Sequence, residues 1–225
     1  MALPITYRRY GEAGIASYDY TNIATGIGTE IFYPAETSSG AYILSPNIIF
    51  SHRSLGTISH SALAAWAEKG SFAFSSAFNF PRIIKGDVLL NIPMGLRSQF
   101  TSEVYYYYPQ VTLYQLDGRT NQLIKLGVIT SGAIRTTPSI ANQTFDFAHY
   151  ALKINVGKTK LKKNDSLRVD IALWTRSNSG HNANVMIGHD PQNRTSGAFD
   201  IDAMTTGTIN YRTDTQVHVP FVIDL

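Results

Sequence analysis

Apolar and polar residues alternate with period two along most of this chain. In Leu167-Arg168-Val169-Asp170-Ile171-Ala172-Leu173-Trp174, the residues Leu167, Val169, Ile171 and Leu173 share one face, while Arg168 and Asp170 take the other. That is the pattern of a half-buried strand. Val217, Val219, Phe221 and Ile223 alternate in the same way with His218, Pro220, Val222 and Asp224. Pro220 has no N–H to give to a ladder, so this strand is expected at a sheet edge or with a bulge at the proline. Residues 104–116 read as a tyrosine-rich strand pair or one bent strand, interrupted by Pro109. The same alternation predicts strands over 30–33, 47–52, 72–80, 83–92, 122–130, 144–156 and 183–188.

Turn chemistry separates these runs. Asp117-Gly118 reads as a hairpin connection, because Asp and Gly both tolerate positive φ. Lys85-Gly86-Asp87 and Lys163-Asn164-Asp165 each place Gly or Asn and then Asp just before an apolar run, which predicts two tight turns that launch strands. One short helix is predicted. Ser59-His60-Ser61 can cap the run from Ala62 to Glu68, Gly70 can stop it, and Leu63, Trp66 and Ala67 would pack on the sheet. Strands at roughly ten-residue spacing with a single helix define an all-β protein, an antiparallel β-sandwich of jelly-roll-like form. Residues 1–28 lack a period and are expected to form an irregular N-terminal arm, ordered by contact with another subunit. Residues 29–225 then form one sandwich domain, with irregular loops near 138–142 and 194–212.

Composition narrows the chemistry. At 225 residues and 44% hydrophobic, the chain can bury a core and is not disordered. No apolar run approaches the roughly 20 residues of a membrane span, and the N-terminus does not read as a secretory signal, so no membrane partner is expected. With no cysteine, disulfides, thiolate zinc sites, iron–sulfur clusters and thiol catalysis are excluded. The net charge is a mild +3, and five of the eight lysines (Lys153, Lys158, Lys160, Lys162, Lys163) fall within eleven residues. They are expected on a solvated hairpin, with a turn over 156–160, touching an acidic neighbour rather than nucleic acid.

No nucleophile elbow, phosphate loop or paired zinc-histidine motif is present. The six histidines are His52, His60, His149, His181, His189 and His218. The closest constellation, His181, His189 and Asp190, could form a two-histidine, one-carboxylate site only with converging geometry. Asp200 and Asp202 could share a calcium ion through hard oxygen ligands. Glu103, beside Tyr105 and Tyr107, is the only glutamate among predicted sandwich aromatics. None of these sets has a partner that would orient a base or complete a metal shell. The chain is therefore expected to be no enzyme, with no catalytic residue, metal or cofactor. In Tyr105-Tyr106-Tyr107-Tyr108, alternate rings face opposite sides, so one pair can fill a core while the other is presented outward. Tyr7, Tyr10, Tyr18 and Tyr20 in the arm, with Tyr105 and Tyr107, are the candidate interface residues.

Ile15-Ala16-Ser17-Tyr18-Asp19-Tyr20-Thr21-Asn22-Ile23-Ala24-Thr25-Gly26 runs into Glu30-Ile31-Phe32-Tyr33. Later come Leu161-Lys162-Lys163-Asn164-Asp165-Ser166-Leu167-Arg168-Val169, Gly188-His189-Asp190-Pro191-Gln192-Asn193-Arg194 and Val219-Pro220-Phe221-Val222-Ile223-Asp224-Leu225. Together these stretches resemble small β-sandwich or jelly-roll virion structural proteins of tailed bacteriophages. The resemblance covers roughly a third of the chain and transfers no functional residue. It implies a capsid decoration, cementing or capsid-associated protein, located in the virion and assembled in the host cytoplasm. Its partners would be its own copies, with a trimer favoured, and the major capsid or other virion proteins. The alternative is a carbohydrate-binding or adhesin module that uses Tyr and Trp174 as stacking rings for a glycan.

Overall fold

The computed structural model of this chain describes residues 27–37, 40–47, 55–61, 65–98, 104–136, 144–178, 182–188 and 215–222. These form twelve strands: β1 (Ile27–Glu36), β2 (Tyr42–Ser45), β3 (Leu55–Ser61), β4 (Ala67–Ala77), β5 (Arg82–Ser98), β6 (Tyr105–Leu116), β7 (Leu123–Thr130), β8 (Ile134–Arg135), β9 (Thr144–Leu161), β10 (Ser166–Ser177), β11 (Asn182–Gly188) and β12 (Gln216–Val222). The protein is all-β, and no helix occurs among the described residues.

Hydrogen bonding joins the strands in the order β3-β11-β5-β12-β1-β2-β4-β10-β6-β7, with β9 also on β5 and β8 also on β6. β1 belongs to two ladders. Its first half pairs with β12, from Ile27↔Val222 to Phe32↔Val217. Its second half pairs with β2, from Tyr33↔Ser45 to Glu36↔Tyr42. The sheet is mixed rather than purely antiparallel as expected, because β2 and β4 run parallel at Ile43↔Ser75. Between them the chain leaves to form β3 at the far end of the path, and such a crossover lets a strand return in the same direction.

Period-two patterning decides what is buried. β6 and β10 alternate strictly between buried and half-buried positions. Val111, Leu113, Val169, Ile171 and Leu173 join Ile84, Val88, Leu90, Ile92, Met94 and Leu96 of β5 in one apolar cluster. Phe32, Phe78 and Phe221 meet edge-on, with centroids 5.8–6.3 Å apart. The Arg82 guanidinium lies over Phe78 and Phe221 and pairs with Glu30. β7 of one ladder rests on β9 of the other at Gly127, where an added Cβ would come within 2.4 Å of Ile154 Cγ2. Gly127→Ala is therefore expected to destabilise by about 2 kcal/mol through overpacking. Urea unfolding should show the double variant Gly127→Ala/Ile154→Ala to be more stable than the sum of the two single losses implies.

The predicted strands over 30–33, 72–80, 83–92, 104–116, 122–130, 144–156, 167–174 and 183–188 match β1, β4, β5, β6, β7, β9, β10 and β11 with shifted ends. The helix does not form as expected. Ser59 to Ser61 end β3, Ala67 and Glu68 begin β4, and residues 62–64 lie outside the described residues. Two isolated helical turns are marginal, whereas the flanking residues gain ladder partners in β11 and β10. Asn47 lies beyond β2, and residues 48–52 of that expected strand are outside the described residues. β1 begins at Ile27, two residues inside the expected arm, and the rest of the arm, with Tyr7, Tyr10, Tyr18 and Tyr20, is likewise outside them.

The turns divide. Asn164 does turn the chain between β9 and β10 at φ 72°. Lys85-Gly86-Asp87 is instead a bulge within β5, where the register with β9 shifts between Ile84 and Gly86. Gly86 has φ 120°, and its face packs on Pro220. Pro220 lies in an interior strand, and the expected bulge is there: pairing of β12 with β5 shifts between His218 and Phe221. In the β6–β7 hairpin, positive φ falls on Asn121 at 56°, not on Asp117 or Gly118. Pro109 does not interrupt β6. Its carbonyl accepts from the Ser131 amide at 3.2 Å, and its missing N–H falls on the same side, between the partners β7 and β8, so no ladder bond is lost. The expected turn over 156–160 is part of β9, and the lysines alternate outward from that strand or sit in the turn that follows it. All five are exposed.

Candidate functional site

His181, His189, Asp190, Asp200, Asp202 and Glu103 lie outside the described residues. Among the described residues no three His, Cys, Asp or Glu side chains are grouped to hold a metal. His149 is exposed. His218 is half-buried, with Nε2 3.2 Å from Gln216 Oε1, and burial lowers its pKa. Tyr105 and Tyr107, expected at an interface, are fully buried in the core. The Tyr150 hydroxyl donates to the Tyr107 carbonyl at 2.8 Å, and burial pushes both phenols well above the usual tyrosine range. The pair presented outward is Tyr106 and Tyr108.

The outward face of β4, β10 and β6 carries a cluster of aromatic and charged side chains that faces away from the core. Register sets its rows. Trp174 stands opposite Tyr108 on one side and Glu68 on the other, and Arg176 stands opposite Tyr106. A bulge in β4 next to Gly70 brings Glu68 level with Trp174, so Trp66, immediately before β4, reaches the row of Arg176. The Arg176 guanidinium carbon lies 4.6 Å from the Tyr106 ring centroid and 5.1 Å from that of Trp66. Trp66 packs on Tyr108 at 4.7 Å, and Tyr108 lies parallel to Trp174 at 6.1 Å. Trp174 Nε1 and Arg176 Nε are buried without a hydrogen-bond partner.

Arg176 differs from the other stacked or half-buried arginines. Arg82 pairs with Glu30, and Arg168 grips Asp170 with Nε–Oδ1 at 2.6 Å and Nη2–Oδ2 at 3.0 Å. Among the described residues Arg176 has no carboxylate partner, and the exposed Glu68 has no cation. Trp174 and the alternation of the tyrosines were legible in the sequence. The convergence of Trp66, Glu68 and Arg176 was not, because it depends on the β4–β10 register.

A second polar centre is structural. Asp165 is buried and accepts from Gln115 Nε2 at 2.7 Å, the Lys162 amide at 2.8 Å and the Gly118 amide at 3.1 Å. Its backbone carbonyl accepts from the Phe78 amide at 2.9 Å. One residue thus ties the ends of three connections, β4–β5, β6–β7 and β9–β10. Burial alone would raise its pKa, but the Lys162, Gly118 and Gln115 hydrogen bonds outweigh it and hold the carboxyl below the usual range. Gly118 fits only without a side chain, since a Cβ would come within 2.1 Å of the Asn164 carbonyl oxygen.

No protein-family model matches the chain, and no curated protein matches it in sequence. Among solved structures it is similar to an α-amino acid ester hydrolase, with TM-score 0.50 and 7% identity over 85% of this chain and 36% of that one. A CocE/NonD family hydrolase from Staphylococcus aureus matches with TM-score 0.44 and 8% identity, over 84% and 36%. The infectious bursal disease virus structure, Gx strain, matches with TM-score 0.27 and 8% identity, over 92% and 52%. The chain spans about a third of the length of the hydrolases it matches. The expectation that the chain is no enzyme is withdrawn, because the fold it shares with the ester hydrolase occurs in an enzyme. Missing motifs could not have decided this, since catalytic groups are defined by spatial geometry rather than by sequence position.

Proposed function

We propose that the chain is a virion structural protein, a jelly-roll-like β-sandwich that works by contacts between its own copies and with other virion proteins. The sandwich reading is supported by β1 serving both ladders, by β7 resting on β9, and by the single apolar cluster that the inward faces share. The observation that carries the functional reading is the outward cluster of Trp66, Tyr106, Tyr108, Trp174 and Arg176. Trp, Tyr and Arg are the residues that dominate protein–protein hot spots, and a partner surface would supply acceptors for Trp174 Nε1 and Arg176 Nε. A glycan platform is the weaker reading. Stacking a sugar needs free ring faces, and the Arg176 guanidinium already lies over Trp66 and Tyr106.

Light scattering on the purified protein tests this. The expected mass is a multiple of 24.8 kDa, reduced to a single copy by Trp174→Ala with the thermal melt retained. A wild-type protein that stays single at micromolar concentration and is retained on a glycan array would overturn the reading.

A further inference from the structure

We infer that the patch on β4, β10 and β6 is a two-fold contact in which Glu68 of each copy pairs with Arg176 of the other. The inference rests on the reading of this chain as a self-assembling subunit, and it names the surface and the pairing. Three observations carry it. First, Glu68 and Arg176 are adjacent on neighbouring strands, and neither has an ion-pair partner among the described residues. Second, Arg176 is preorganised. Its guanidinium is held over both Tyr106 and Trp66, so less side-chain freedom is left to lose when a carboxylate arrives. Third, the arrangement is self-complementary. Glu68 and Trp174 occupy one row, and Trp66 and Arg176 the next. A two-fold axis lying along the surface, midway between Glu68 and Arg176, exchanges the two.

Such an axis passes near the Trp66–Trp174 diagonal, so each indole meets its own counterpart at the centre. The result is an isologous contact, in which residue i touches j and j touches i. Its centre is aromatic, and its two ion pairs lie symmetrically on either side. The rest of the face suits a contact as well. Asp170 is already neutralised by Arg168, Ala172, Gln110 and Thr112 carry no charge, and the further cation, Arg135 of β8, stands at the edge of the face opposite Tyr106.

Charge exchange tests the pairing. In sedimentation velocity, the wild type is expected to self-associate. Glu68→Arg and Arg176→Glu are each expected to weaken the association at least about tenfold, as for a desolvated charge pair rather than an exposed one. Each single variant places like charges at the contact, whereas a mixture of the two pairs opposite charges twice. Mixing them, or combining both changes in one chain, should restore association to near the wild-type level. Should Arg176→Glu fail to fold, Glu68→Gln at an exposed position still reads the pair as a weakened association. Association of the wild type that neither single change affects would overturn the two-fold pairing and leave the assembly reading standing. Weakening that mixing does not repair would overturn it too. A wild type that stays single at every concentration would remove both.

Discussion

Asp165→Ala is expected to lower stability by about 4 kcal/mol in urea unfolding. The carboxylate holds Gln115 and the Lys162 and Gly118 amides. Hydrogen bonds to a charged group contribute roughly 1.5–3 kcal/mol each, and deletion leaves buried donors unsatisfied. Asp165→Asn should lose less, since an amide oxygen still accepts. The pH dependence follows from the lowered carboxyl pKa. A group whose folded pKa is depressed stabilises above its unfolded value, about 3.9 for aspartate, and that contribution disappears as pH falls through the folded value. Wild-type stability should therefore fall below about pH 4 more steeply than that of Asp165→Asn. Asp87, whose pKa is also lowered, titrates alike in both proteins and cancels, whereas Asp117 repels Asp165, so the difference between the curves reports Asp165 together with its coupling to Asp117. Parallel curves would show that its charge contributes nothing.

Phe74→Ala is expected to cost about 4 kcal/mol, as for a buried phenylalanine that leaves a cavity. Phe74 has no exposed surface, stacks on Phe72 at 6.2 Å and meets the Tyr42 ring edge-on at 5.3 Å. It stands opposite Val169 in the β4–β10 ladder. Both strands lose packing together, and β2, which pairs with β4 through a short parallel bridge at Ile43, loses one of the two rings that Tyr42 rests on. Phe74→Leu keeps most of the volume and should cost less than half as much. Equal losses for the two variants would show that the ring geometry, not the volume, matters.

The strands were legible in the sequence because burial on one side imposes a period of two, which residues such as Val169, Ile171 and Val217 display without help from tertiary structure. What was not legible depends on neighbours in space. Lys85-Gly86-Asp87 has turn composition, yet β9 and β12 flank it and convert the glycine into a bulge. Ala62 to Glu68 has helix composition, yet the ladder partner of Glu68 is Trp174. Tyr105 and Tyr107 could not be told from Tyr106 and Tyr108 until one face of β6 was known to be the inner one. The outward patch is the sharpest case. Arg176 and Trp66 are far apart in sequence, and only the β4–β10 register brings them to one ring contact.

The place of β12 between β1 and β5 has a kinetic consequence. Ile27 pairs with Val222, so the first described strand finds its partner in the last. A chain emerging from the ribosome N-terminus first must hold β1 and β5 apart, with Phe32 and Leu90 unsheltered, until residues 216–222 slide between them. Closure of so long a loop places the protein among slow folders. It also makes β12 a gate on maturation: among the described strands, β12 alone joins the two halves of the sheet by hydrogen bonds.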